Sequence, residues 1–271
     1  MSLTPIKDET RGDLILRILP PKAGRYRGAV IRQAGGLVGT FEDADAEALW
    51  RRLEEEAARA DKSFVGFDGA RARFLHFFPD GFTDPRFARM EGNYKRGAKT
   101  NLDAVAPVTA VAEGSGYGEA ALAAYRDTNL LHPVEKSRMA DVLRGPRADA
   151  FLRATAAFAL GAGAPALHAI REALHPHGAA SWTAATYLPF LWRPDAHMFL
   201  KPEVTKDFAA RVGHPFHHAY APALEMKTYN ALLDLTARTE AEIASLGPKD
   251  RVDVQSFIWV VGSYGEGEAT P

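Results

Sequence analysis

Residues 14–41 read LILRILPPKAGRYRGAVIRQAGGLVGTF. Leu14–Leu19 is a short apolar run closed by Pro20-Pro21, which predicts a strand. Tyr26–Gln33 and Leu37–Phe41 flank Gly35-Gly36, and two β-rich runs around such a pair predict a hairpin. The period then changes. In Asp43–Ala60, Ala46, Leu49, Trp50, Leu53 and Ala57 recur at helical spacing, and an Asp near the start suits an N-cap. Beyond it, Phe64–Phe67 and Ala70–Phe78 surround Asp68-Gly69, a strong short-range hairpin signal. The front of the chain is therefore expected to run ββ(β)αββ and to end near Pro79.

After Asp80–Pro85 (DGFTDP) the sequence is of another kind. Gly92–Val108 is mixed and polar. Gly114–Gly118 (GSGYG) reads as a loop, since no strand precedes it and no GK[ST] follows to make a phosphate cradle. Helical periodicity then covers Glu119–Asp127, Pro133–Leu143, Arg147–Leu160, Pro165–Leu174, Trp182–Leu191, Pro202–Val212, Met226–Ser245 and Val252–Val261. Pro165 and Pro202 fall in first turns, and Gly213 and Gly247 fall where helices stop. The expected fold class is α+β: a small N-terminal antiparallel sheet with one helix, followed by a larger all-helical body. The expected division is 1–85 and 86–271.

The 271 residues are 46% hydrophobic and 25% charged, enough for a packed core without staples. The chain has no cysteine, so disulfides, thiolate zinc sites, iron–sulfur clusters and cysteine nucleophiles are excluded. The start, MSLTPIKDETRGD, lacks the apolar core of a secretion signal, and no apolar run reaches the ~18 residues of a membrane span. A cytoplasmic location and no membrane partner are the expectations. The formal net charge of −1 argues for no class of partner, but its distribution is uneven. Arg25, Arg27 and Arg32 lie on or beside one expected hairpin, and Arg71 and Arg73 alternate on the other. Together they predict a basic sheet face with nucleic acid as its partner.

Chemistry-bearing residues are densest in Trp182–Arg211. Arg193, Asp195, His197 and Lys201 lie within nine residues, in the connector between two expected helices. In an extended segment Asp195 and His197 share a face, which would let a carboxylate orient an imidazole. At least three of the four are expected to converge on one concave surface. The alternative is a plain connector, with Arg193 and Asp195 paired locally. Further histidines stand at His175, His177, His214, His217 and His218. Pro215 interrupts the only i, i+4 pair, so no metal is expected. Pro194-Asp195 with Glu225-Met226-Lys227 imitates a PD…ExK nuclease pattern, but Glu225 leads into a helix. There is no G-x-S-x-G and no paired glycine-rich dinucleotide motif, so no cofactor is expected. Phe74, Phe77, Phe78 and Phe82 are expected in the core, as is Val252–Val261.

Two stretches resemble known sequences. RPDAHMFLKPEVTK (Arg193–Lys206) and DVQSFIWVVG (Asp253–Gly262) resemble segments of an uncharacterised bacterial protein family, which implies a shared fold and supplies no activity. More weakly, residues 181–213 resemble the stretch after the hairpin in helix-hairpin-helix DNA glycosylases, through Trp182-Thr183-Ala184, Pro194-Asp195-Ala196 and Arg211-Val212-Gly213. Only Gly178 remains of the hairpin glycines, and the place of the catalytic aspartate falls near Lys201-Pro202. That resemblance implies a related helical fold with altered or absent glycosylase chemistry. The functional expectation is a non-enzymatic interaction or nucleic-acid-associated protein, with DNA repair or defence as its setting. The alternative is an enzyme acting on a small anionic substrate through Arg193, Asp195, His197 and Lys201.

Overall fold

The structure, a computed structural model, describes residues 4–11, 13–60 and 65–265. The protein is α+β, with a four-stranded antiparallel sheet at the N-terminus and helices after it. The chain divides into two compact units. A sheet unit holds the chain up to Ala70 together with Lys206–Ala219, and a helical unit holds Arg71–Thr205 and the chain from Tyr220.

In the sheet unit, β1 (Lys7–Arg11), β2 (Leu14–Lys22), β3 (Arg25–Arg32) and β4 (Leu37–Asp43) are neighbours in chain order. Alternation on β2 puts Leu14, Leu16 and Ile18 on one face, where they pack with Val30 of β3. Helix α1 (Ala46–Arg59) covers that face with Leu49, Trp50, Leu53 and Ala57. Burying each large side chain contributes about 1.5–3 kcal/mol. Asp45 caps α1, its Oδ1 accepting from Glu47 N at 2.8 Å and Ala48 N at 2.9 Å. Gly28 lets α1 approach: a Cβ there would meet Leu53 Cδ1 at 2.7 Å. The edge strand β1 reads KDETR and was not visible as a strand. Its hold is polar, with Arg17 on Asp8 at 2.7 Å and Arg11 on Glu54 at 2.5 Å.

The hairpin expected around Asp68-Gly69 does not form. Residue 64 lies outside the described residues, and Gly66–Phe77 is helix α2. The buried positions Ala70, Phe74 and Phe77 are spaced four and three apart, a helical period. Asp-Gly marks a hairpin only between alternating apolar runs. Here Asp68 sits in a first helical turn, where a carboxylate suits the helix dipole.

The remaining helices in chain order are α3 (Pro85–Phe87), α4 (Asn93–Val105), α5 (Val108–Glu113), α6 (Gly118–Asp127), α7 (Pro133–Arg144) and α8 (Ala148–Ala159). They continue as α9 (Gly163–Leu174), α10 (Trp182–Trp192), α11 (Pro202–Val212), α12 (Phe216–Ala219), α13 (Met226–Glu242) and α14 (Arg251–Ser263). A π-turn over Ala88–Gly92 joins α3 to α4. Helix α4 occupies most of the segment that reads as mixed and polar. All residues of α10 are buried, Pro189 included, as befits a helix apolar on every side. Ser181 caps it by accepting from Ala184 N. The phenylalanine group is core, as expected: Phe74 lies 4.9 Å from Phe82 and 5.1 Å from Phe257, ring centre to ring centre. No helix among the described residues is long and apolar enough to cross a membrane.

Candidate ligand site in the helical unit

The connector between α10 and α11 does not gather its four polar residues. Arg193 and Asp195 pair with each other at the surface, with Nε to Oδ1 at 3.0 Å and Nη2 to Oδ2 at 2.8 Å. That pairing holds the Asp195 carboxyl below its usual range. His197 turns into the core instead. Its Nδ1 lies 2.8 Å from Tyr229 Oη and its Nε2 lies 3.1 Å from Ala159 O. Burial lowers its pKa to about 4, so the imidazole is neutral at pH 7. Neither ring nitrogen contacts Asp195. The expected carboxylate–imidazole pair is therefore absent, because Met198, Phe199 and Leu200 are buried beside His197 and draw that part of the connector inward.

Lys201 goes elsewhere. It lines a pocket with Tyr94 of α4, Asn129 and Leu130 of the α6–α7 connector, Phe199, and Gln255 and Trp259 of α14. Gln255 and Trp259 stand four apart on one helix face. The enclosed cavity is small, about 30 Å³. Three of its walls are aromatic. Lys201 Nζ donates to Leu130 O at 3.1 Å and stands 3.5 Å from Glu135 Oε2. Glu135 is committed to the α7 start: Oε2 accepts from His132 N at 2.8 Å, and Oε1 accepts from Thr183 Oγ1. Burial would raise its pKa, but these bonds and Lys201 outweigh burial and lower it. Burial likewise raises the pKa of Tyr94, with Glu91 adding to it, so its phenol keeps its proton.

Gln255 is the unusual member. It is 3% exposed, and its Oε1 is buried without a hydrogen-bond partner. Buried acceptors are nearly always paired. The rest of α14 meets the expectation of core: Val252, Val254, Phe257, Ile258, Val260 and Val261 are all buried, while Trp259 is half-buried at the pocket.

The pocket walls rest on a buried ion pair one residue away. Lys95, next to Tyr94, is fully buried, and its Nζ donates to Glu91 Oε2 at 2.6 Å and to Ser256 Oγ at 2.8 Å. Tyr264 Oη donates to Glu91 Oε1 at 2.7 Å. Ser256 adjoins Gln255, so this network fixes α4 against α14 and with them Tyr94 and Gln255. Burial lowers the Lys95 pKa, and Glu91 opposes that shift.

The five arginines expected to form one basic face are not together on a sheet. Arg25 and Arg27 are exposed on β3 at the same parity, and Arg25 faces Glu42 at 3.8 Å. Arg32 is out of phase with them and binds Asp13 at 2.5 Å. Arg71 and Arg73 are on α2, because that segment is helical, and both work as anchors within the helical unit. Arg71 Nη1 donates to Glu242 O at 2.7 Å, and Arg73 donates to Val261 O at 3.2 Å and to Tyr264 O. Among the described residues no group of three or more His, Asp or Glu could hold a metal ion. Comparison with family models, curated proteins and solved structures finds no match to this chain.

Proposed function

We propose that the helical unit is a non-enzymatic binding module that takes one small polar group at the mouth of the pocket of Tyr94, Phe199, Lys201, Gln255 and Trp259. The observation that carries this reading is Gln255 Oε1, a buried acceptor without a partner in the wall of an aromatic pocket. Leaving such an atom unpaired costs about 1–3 kcal/mol. That atom is shut off from solvent, so a ligand removes the cost only by turning the Gln255 amide to face it. Aromatic walls around a few polar groups are the usual make-up of small-molecule sites.

Catalysis on an anionic substrate has less support, because it draws on Arg193, Asp195 and His197, which engage each other or the core. Nucleic-acid association keeps Arg25 and Arg27 as its support. The test is a thermal-shift screen of planar polar fragments against the wild type and Gln255→Leu. The expected result is at least one fragment that raises the wild-type Tm and leaves the variant unmoved, since ligand at 100 Kd adds about 2.7 kcal/mol. Equal shifts in both proteins, or no shift with any fragment, overturn the proposal.

A further inference from the structure

We infer that the sheet unit pairs with a second copy of this chain along the outer edge of β4, so that the two four-stranded sheets run on as one. The sheet has two outer strands, β1 and β4, and their sequences treat the edge differently. β1 reads KDETR, with a charge at every position but one. Charged side chains on an edge strand block the approach of another chain. β4 reads LVGTFED and carries no charge before Glu42, no lysine and no proline. Leu37 is 65% exposed, the most exposed large hydrophobic residue among those described, and no residue of β4 is buried. Among the described residues no strand pairs with β4 on the side away from β3. A row of outward N–H and C=O groups with no ladder partner is a template for a further strand.

The partner is a second copy because β4 fits itself. Its ladder partners on β3 pass from Gly39 to Leu37, so Val38 is bulged and Gly39–Asp43 is the regular stretch. An antiparallel pair centred on Thr40 sets Phe41 opposite the partner's Gly39 and keeps the carboxylates at opposite ends. A pair centred on Glu42 would set like charges against each other. Cross-strand partners share a face, and here that face is covered by α1. Arg52 Cζ lies 5.0 Å from the Phe41 ring centre, and the Glu56 side chain would meet a Cβ on Gly39 at 3.1 Å. Pairing Phe41 with the partner's Gly39 therefore brings Arg52 beside the partner's Glu56, and two-fold symmetry does so twice. Arg52 is exposed and forms no ion pair among the described residues. Glu56 holds Arg59 through Oε2 at 3.5 Å, which leaves Oε1 for the partner's Arg52. One strand edge with its flanking side chains is a small contact, below about 1,200 Å², so the dimer is weak and depends on concentration.

The experiment is sedimentation velocity of the full chain over a wide range of concentration, repeated with Thr40→Lys, Arg52→Glu, Glu56→Arg and the double charge reversal. Thr40 is exposed, so lysine there leaves the monomer folded while setting two like charges together at the centre of the pairing. The expected result is a sedimentation coefficient that rises with concentration in the wild type. Thr40→Lys and each single reversal should weaken the dimer about tenfold, and the double reversal should restore it. Hydrogen exchange of the wild type needs no variant: amides of β4 should gain protection as concentration rises, and those of β1 should not. A wild type that stays monomeric throughout overturns the proposal. So does a dimer that Thr40→Lys leaves unchanged, or one that protects β1 instead of β4. A dimer lost in Thr40→Lys and not restored by the double reversal overturns the Thr40-centred register and keeps the β4 edge.

Discussion

Replacing Gln255 with Leu should stabilise this protein while removing its ligand. Gln255 is 3% exposed, and its Oε1 has no partner. An unpaired buried acceptor carries a penalty of about 1–3 kcal/mol that an apolar side chain of similar size does not. Leu is near enough in volume to leave little cavity or strain, and such shape changes usually cost under about 1.5 kcal/mol. Phe199 and Trp259 line the same pocket as Gln255 and offer the new side chain apolar surface. The net gain expected is about 1 kcal/mol, or a few degrees in Tm. Urea denaturation of both proteins, followed by far-UV circular dichroism, measures the difference. A loss of 1 kcal/mol or more in the variant would refute the reasoning, because it would mean that the Gln255 amide already has a partner that Leu cannot replace.

Three further expectations follow from the geometry. His197 has a folded pKa of about 4 against 6.5, so between those values the unfolded chain binds the proton and the folded chain does not. Stability attached to this ring is therefore complete above pH 6.5 and falls on acidification, by about 2 kcal/mol from pH 7 to 4.5. His197→Gln should flatten the stability–pH curve by that amount, and superimposable curves would deny the assignment. Lys95→Met leaves the Glu91 carboxylate buried and should cost about 3–5 kcal/mol in urea denaturation, with Glu91→Gln in the same chain restoring part of it. In the sheet unit, Gly28→Ala drives a methyl to 2.7 Å from Leu53 Cδ1, and an overpacking loss of about 1–3 kcal/mol should appear as a lower Tm.

Much of the fold was legible because the signals were local and agreed. Pro133, Pro202 and Gly247 mark helix ends that periodicity marks too, and Leu49, Trp50, Leu53 and Ala57 leave no choice for α1. At Asp68-Gly69 the four-and-three spacing of buried Ala70, Phe74 and Phe77 prevails over the turn preference of the dipeptide, and the segment is helical. Strand β1 carries no apolar pattern; its register comes from β2 across the sheet. In α4 the buried residue at a core position is Lys95, whose charge hides it among surface residues until Glu91 and Ser256 are seen beside it. Of the four connector residues that the sequence singles out, only Lys201 lines the proposed pocket. Tyr94, Gln255 and Trp259 come from distant stretches, and no spacing rule links them. The one trace in the sequence is that Asp253, Gln255 and Ser256 interrupt an apolar helix, which marks groups buried for a reason. His197 misled in the opposite sense: its neighbours Met198, Phe199 and Leu200 pull it into the core, where it bonds Tyr229 and Ala159.

The most direct test of the central claim is a ¹H–¹⁵N correlation spectrum of the protein titrated with planar polar fragments. The Gln255 side-chain amide and the Trp259 indole would be assigned by Gln255→Leu and Trp259→Phe. At least one fragment should shift both signals together, saturably, and before any other residue of the helical unit. A folded protein in which those two signals stay fixed with every fragment, while shifts gather around Arg25 and Arg27 when DNA is added, would contradict it.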